Sequence, residues 1–244
     1  MKIMIDPGHR NNVHDYGAAG NGLKESAIAL AISKKLKKDF EAAGHTVFLT
    51  RSSENETIGI NQRPAEAKKY GCDWLISVHI NAAANNKAKG VEVCYRTQKT
   101  MADAVVNAMA RATGMYNRGI KQRSDLGVLN GFDKSILIEC GFINNPDEAK
   151  LLATDEFQSK ISRAVVKGFD ERLDFKVKKE DKTLYDAVKG LYGFDENTME
   201  YLHAFKHRDA LMQAFIDERP ISPATEEYIL GYKYGRAILS RVYG

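Results

Sequence analysis

The chain reads as an α/β protein with a mainly parallel sheet, followed by a small all-α C-terminal unit. Three observations predict this. Apolar strand-like runs alternate with amphipathic helical stretches over roughly the first 170 residues, the order of βα units feeding a parallel sheet. The first run, Lys2 to Ile5, carries little polar content, as buried parallel strands do. After a charged stretch from Phe175 to Lys182 the strand pattern stops and only helical periodicity continues. The length of 244 residues and a hydrophobic fraction of 43% allow a domain with a real core and a smaller second unit.

Taken in order, Lys2–Ile5 is the first strand, ended by Pro7-Gly8, because proline lacks a ladder N–H and glycine permits a sharp turn. Asn21-Gly22 is a turn signal. A helix runs from Glu25 to about Ala43, with Ile28, Ile32, Leu36 and Phe40 as its apolar stripe, Lys34, Lys35, Lys37 and Lys38 on its solvated face, and Gly44 as its stop. His45 to Arg51 is the next strand, with His45 read as a surface residue. A helix covers about Asn61 to Tyr70. Asp73 to Ile80 is the strongest strand, and its alternation places Ser77, His79 and Asn81 on one face. Gly90–Arg96 is a strand and Ala102–Thr113 a helix. Arg118 to Lys121 reads as loop, Ser135–Cys140 as a buried strand, and Phe157–Arg172 as an amphipathic helix.

The division expected is a first domain over residues 1–175, a charged linker over 176–182 and a helical domain over 183–244. In the tail, Thr183–Leu191 and Asn197–Ile216 read as helices. A third starts at Ser222-Pro223, a good N-cap followed by proline at the first helical position. A unit of roughly 60 residues has a thin core, so the tail is expected to lean on the first domain or on another copy of itself. Its tyrosines can form either that core or a carbohydrate-binding surface.

The net charge is +4 and the pI about 8.8. From Lys176 onward 11 Lys/Arg balance 11 Asp/Glu, so the excess lies in the first 175 residues. So small an excess gives no reason to expect nucleic acid as a partner. No apolar run approaches a membrane span. No basic segment with an apolar stretch precedes the first strand, so the expectation is a product made in the cytoplasm without a signal peptide. Cys72, Cys94 and Cys140 form no metal-binding spacing and read as buried free thiols.

Four residues carry candidate chemistry. His9 and His79 end strands, where open α/β sheets bind ligands. Glu25 opens a helix near the first histidine, a position that the helix dipole alone would favour. Glu139 ends a late strand. Two histidines and a glutamate are a ligand set for catalytic zinc with one position left for water, and a further carboxylate can act as general base and acid. These residues converge only through the fold. His14 is an alternative ligand to His79. His203 and His207 are four apart on an expected helix, but no glutamate follows His203 directly and no third ligand is evident.

Ile5-Asp6-Pro7-Gly8-His9, Ser77-Val78-His79-Ile80-Asn81, Gly90-Val91-Glu92-Val93 and Ile138-Glu139-Cys140-Gly141-Phe142-Ile143-Asn144-Asn145 stand in the order of motifs in one family. Residues 1–173 resemble the zinc-dependent N-acetylmuramoyl-L-alanine amidases of bacterial cell walls, the catalytic domain of phage endolysins, autolysins and sporulation amidases. The resemblance implies an open, twisted sheet with helices on both faces. It implies Zn2+ held by His9, Glu25 and His79, Glu139 as catalytic acid/base, and Asn81 at a substrate-binding position. The implied reaction is hydrolysis of the amide between N-acetylmuramic acid and L-alanine in bacterial peptidoglycan, after release of the protein to the wall. The tail is expected to bind the wall or to form a homo-oligomer through its helices. Arg10-Asn11-Asn12 stands where the family commonly has glycines, Lys134 where it often has proline, and Lys68 where it often has asparagine. Two rival readings are a non-catalytic wall-binding module that keeps the metal as structure and a zinc peptidase cutting within the stem peptide. Glu139, not needed as a ligand, speaks against the first. Glu92 is expected to be structural, or hydrogen-bonded near the site.

Overall fold

The computed structural model describes residues 1–10 and 15–172, and beyond them residues 188–189, 192–194, 196–203, 211, 215, 221, 223–230 and 235–243. The chain divides into two units, Met1–Asp174 and Phe175–Gly244. The expected linker over 176–182 and the expected helix over 183–191 lie largely or wholly outside the described residues.

The first unit is built on a sheet of six strands. β1 (Lys2–Pro7), β4 (Thr46–Leu49), β5 (Trp74–Asn81) and β8 (Ser135–Phe142) run parallel in the order β4-β1-β5-β8. β6 (Val91–Tyr95) pairs antiparallel with β8, and β7 (Asn117–Gln122) lies parallel to β6 at the far edge. β2 (Ala19–Gly20) and β3 (Leu23–Lys24) form a separate hairpin. Its turn is Asn21-Gly22, both at positive φ (51° and 79°), as tight hairpin turns require.

Register explains why one end of this sheet is chemical and the rest is not. Ile3, Ile5, Ile76, Val78, Ile136, Ile138, Val91 and Val93 face one way and form the main core. They pack against α1 (Glu25–Ala42), α3 (Lys99–Thr113) and α6 (Asp155–Arg172), the last following the short α5 (Pro146–Leu152), through Ile32, Val105 and Phe169 among others. The opposite face begins apolar, with Met4, Leu75, Leu137 and Cys94 under Ala67 of α2 (Gln62–Lys69) and Leu129 of α4 (Gly127–Gly131). Further along it turns polar. Asp6 pairs with Ser77, and then His79, Glu139 and Glu92 stand side by side on β5, β8 and β6. Helices cover both faces, and the polar row lies toward the carboxyl ends of the parallel strands.

Several expectations change. Asn117–Gln122 is a strand rather than a loop. As the edge strand it leaves most of its residues exposed or half-buried, so its sequence is polar. His45 is buried, with its ring edge-on to Phe40 at 5.4 Å and Nε2 3.1 Å from Asp170 Oδ1 on α6. The main-chain turn after α1 folds it inward. Lys99 starts α3, three residues before the expected Ala102. The three cysteines are free and buried. Burial pushes the Cys94 thiol up to about 12, so it stays protonated at neutral pH.

In the second unit α7 (Glu196–His203), α8 (Pro223–Leu230) and α9 (Gly235–Tyr243) contribute to a core of Val188, Phe194, Met199, Leu202, Phe215, Ile229, Ile238 and Val242. Pro223 is the first residue of α8, where the fixed proline φ suits a helix start. Tyr201 and Tyr228 stack at 4.9 Å, and each hydroxyl donates to the other residue's carbonyl. Tyr192 donates to Phe215 O. These tyrosines serve the core. No described helix is long and apolar enough to cross a membrane.

Candidate metal centre

β1 delivers His9 through Pro7-Gly8. The Gly8 N–H donates to Val78 O at 2.8 Å, continuing the ladder one residue past the strand. His9 then takes φ 54°, a conformation that side chains other than glycine rarely adopt. The surroundings hold it there. Arg63 donates to Pro7 O (2.9 Å) and His9 O (3.0 Å), and Arg51 donates to Pro7, Gly8 and His9 carbonyls. Both arginines are buried. The buried Asp6 accepts from Arg63, Thr50 and Ser77 at 2.6–2.7 Å. A buried carboxylate and guanidinium are tolerable only when so fully bonded.

Glu25 arrives from the other side, on the first turn of α1. This helix has no side-chain N-cap. Its first N–H groups donate instead to Ala18 O and Tyr16 O, so the loop before the hairpin sets where Glu25 stands. The side chain of Asn21 ties the hairpin turn to Ile143 O at 2.9 Å, just past β8. Glu25 Oε1 accepts from the Ile80 N–H (3.0 Å) and lies 2.9 Å from His79 Nδ1. Oε2 accepts from the Ala18 N–H (2.8 Å) and lies 3.4 Å from His9 Nε2. Burial alone would raise the Glu25 pKa, but the two imidazoles overcome it and hold the carboxylate well below its usual range.

His9, Glu25 and His79 thus meet, and one ligand atom from each lies within 4.8 Å of the others. The His9 and His79 rings are edge-on at 5.0 Å. Asp15 Oδ1 sits 2.6 Å from His9 Nδ1. A carboxylate there favours the proton on Nδ1 and leaves Nε2 its lone pair, as in carboxylate–histidine–metal arrangements. Burial pulls the His9 pKa down, and Glu25 with Asp15 more than reverses this. Two glycines make the room. A Cβ on Gly17 would stand 2.5 Å from both Glu25 Oε2 and His9 Cδ2, and one on Gly8 would stand 2.6 Å from His79 Cε1.

Glu139 is the register neighbour of His79 on one side and of Glu92 on the other. Its Oε2 is shut off from solvent and has no hydrogen-bond partner among the described residues. Burial, and then the charges of Glu25 and Glu92, push its pKa well above the ordinary carboxylate value. Just beyond, the β5–β8 register shifts between His79 and Asn81, and Gly141 takes φ 142° on β8 there. Asn81 donates to Glu92 Oε1 at 3.1 Å. Glu92 Oε2 accepts from Arg118 Nε at 2.7 Å, and that guanidinium lies 4.8 Å from the Phe142 ring centroid. Glu92 is hydrogen-bonded beside the site, as expected.

The sequence reading missed Asp6, Asp15, Arg51 and Arg63. Asp6 carried a signal: a charge within an otherwise apolar strand must be paired. His14, Asn11, Asn12 and His207 lie outside the described residues, and His203 ends α7 in the other unit. Lys68 and Lys134 are exposed.

Clustered imidazole and carboxylate donors beside a buried carboxyl, at the strand ends of an α/β sheet, make this a candidate metal centre of the kind metallohydrolases use. Comparison makes this specific. Residues 3–171 match the sequence model of the N-acetylmuramoyl-L-alanine amidases, and the chain belongs to that family. It is 36% identical over 202 residues to the endolysin of Bacillus phage SPP1, covering 74% of this chain and 71% of that one. It is 31% identical over 173 residues to the N-acetylmuramoyl-L-alanine amidase LytC of Bacillus subtilis, 68% of this chain but 34% of the relative. The crystal structure of an N-acetylmuramoyl-L-alanine amidase from Clostridium difficile 630 superposes with a TM-score of 0.66 at 29% identity, over 72% of this chain and 98% of that one.

Proposed function

We propose that this chain hydrolyses the amide joining the lactyl group of N-acetylmuramic acid to L-alanine in peptidoglycan, with zinc held by His9, Glu25 and His79 and Glu139 as general base and acid. The observation that carries the reading is the meeting of three donors from three elements, with Glu139 in register beside one of them. The donor set fits the metal: two imidazole nitrogens and one ionised carboxylate suit zinc, and glycines stand where any larger residue would push the donors aside. When bound, zinc polarises the amide carbonyl and lowers the pKa of water toward neutrality.

The chain's own residues do the rest. Glu139 takes a proton from the attacking water as its oxygen bonds to the carbonyl carbon. The C–N bond then breaks, and Glu139 gives that proton to the departing nitrogen of L-alanine. The products are a lactyl carboxylate and a free L-alanine amino group. A carboxyl whose surroundings favour the protonated state is suited to the second half of that shuttle. Asp15 holds His9 in one tautomer. Glu92 orients the Asn81 amide, whose other N–H can donate to substrate.

Digestion of purified bacterial peptidoglycan by the zinc-loaded protein tests this. The expected products carry new L-alanine amino termini and no new reducing sugars. Other new amino termini would establish a stem-peptide peptidase instead. Zinc binding without any cleavage would leave the wall-binding module.

A further inference from the structure

Arg51 follows β4 and is 1% exposed. Its guanidinium reaches two segments far apart in sequence. Nε donates to Pro7 O (3.2 Å) and His9 O (3.0 Å), while Nη2 donates to Gly8 O (2.9 Å) and Ser26 O (2.7 Å). The first segment carries His9, and Ser26 directly follows Glu25. One rigid planar group therefore spans the backbones of two candidate ligands. Arg63 reaches the first segment, through Pro7 O and His9 O, and is paired with Asp6. Only Arg51 of the two bridges to α1 among the described contacts. Burying a guanidinium is costly, and here its donors go mainly to the carbonyls around a residue held at φ 54°.

We propose that Arg51 is a positioning residue for the metal site, holding His9 and Glu25 in the placement that brings Nε2 and Oε2 to 3.4 Å before any metal binds. The inference rests on reading His9, Glu25 and His79 as zinc ligands. A preformed site spares the binding step the ordering of two backbone segments. A merely structural Arg51 would set the melting temperature and leave the folded site's affinity alone.

The test measures zinc affinity by competition with a chromophoric chelator, and the visible spectrum of cobalt(II)-substituted protein, well below the melting temperature. Wild type is compared with Arg51→Lys and with Val165→Ala, which thins the core on α6, a helix that carries none of the candidate ligands. Lysine keeps the charge but loses the planar fork that spans both segments. Arg51→Lys is expected to bind zinc 10- to 100-fold more weakly, the loss typical of a group that orients a ligand, with an altered cobalt spectrum. Val165→Ala is expected to lose stability at unchanged affinity. A folded Arg51→Lys protein with wild-type affinity and spectrum would overturn the proposal.

If Arg51→Lys does not fold, wild type answers. Coupling is reciprocal, so zinc must slow hydrogen exchange at Arg51 Nε, read by nitrogen-15 NMR. Unchanged exchange on zinc binding overturns the proposal. A wild-type chain that binds no zinc overturns the metal reading and this inference together. Zinc binding by wild type that Arg51→Lys equals overturns this inference alone.

Discussion

Ionising Glu139 in the metal-free protein charges a buried carboxyl, one oxygen of which is cut off from water and has no partner among the described residues, and adds a third negative charge beside Glu25 and Glu92. Its folded pKa therefore lies above the unfolded value. The sign follows: the folded state holds the extra proton, so this contribution to stability is complete below the unfolded pKa and is lost as pH rises through the folded one. Glu139→Gln removes the titration. It is expected to make the metal-free protein less sensitive to a rise from pH 5 to pH 8, by about 1.4 kcal/mol for each unit of pKa elevation removed. Urea denaturation of chelator-treated wild type and variant at both pH values checks this, since His9 is present in both and Glu25 stays ionised across this range. Identical pH dependence would show that Glu139 is not held in its protonated form. The same variant, loaded with zinc, is expected to lose a factor of roughly 10²–10⁴ in hydrolysis while keeping the metal.

At the scale of elements, the strands and helices that build the core were legible because burial writes periodicity. The apolar stripe from Ile28 to Phe40 is such a case, and so is the run that puts His79 beside Val78 and Ile80. β7 was not legible: an edge strand with a wet side needs no apolar alternation. Arg51, Arg63 and His45 were not, because a buried polar residue looks like a surface one until its partners, most of them more than forty positions away, fold onto it. The candidate metal donors were readable one by one as residues at element ends, whereas their convergence depends on loops. Those loops make a prediction. Gly17 and Gly114 have nearly equal φ, 72° and 71°, but a Cβ on Gly114 meets nothing within 4 Å. Alanine at either is expected to cost about 1–3 kcal/mol of backbone strain. Gly17→Ala should also displace His9 and Glu25 and weaken zinc binding at least tenfold, whereas Gly114→Ala should bind as wild type does. Calorimetry with zinc titration separates the two, and equal affinities would mean that the Gly17 loop does not shape the site.

At the scale of the molecule, each unit has a core of its own. The first unit's core runs from Ile3 to Phe169, and the second unit's from Val188 to Val242. The crystallised chain of the Clostridium difficile amidase covers 72% of this chain with 98% of its own length. Unit 1 contains every proposed ligand and the proposed acid/base. A chain ending at Asp174 is therefore expected to fold and to hydrolyse small soluble muropeptides within about twofold of the full-length rate. The tail then has to matter, if at all, for where the enzyme works or in what company. The hydroxyls of Tyr192, Tyr201 and Tyr228 bond within the second unit, and the rings of Tyr201 and Tyr228 stack on each other. A small core of this kind is commonly supported by association, and we propose wall binding or self-pairing through these helices as its role. Sedimentation of both forms with insoluble peptidoglycan, alongside their solution masses, decides between the two. Loss of co-sedimentation in the shortened chain, with a single-chain mass for both, would mean wall targeting; a dimer mass lost on shortening would mean self-association. Equal co-sedimentation and equal masses would reject both roles.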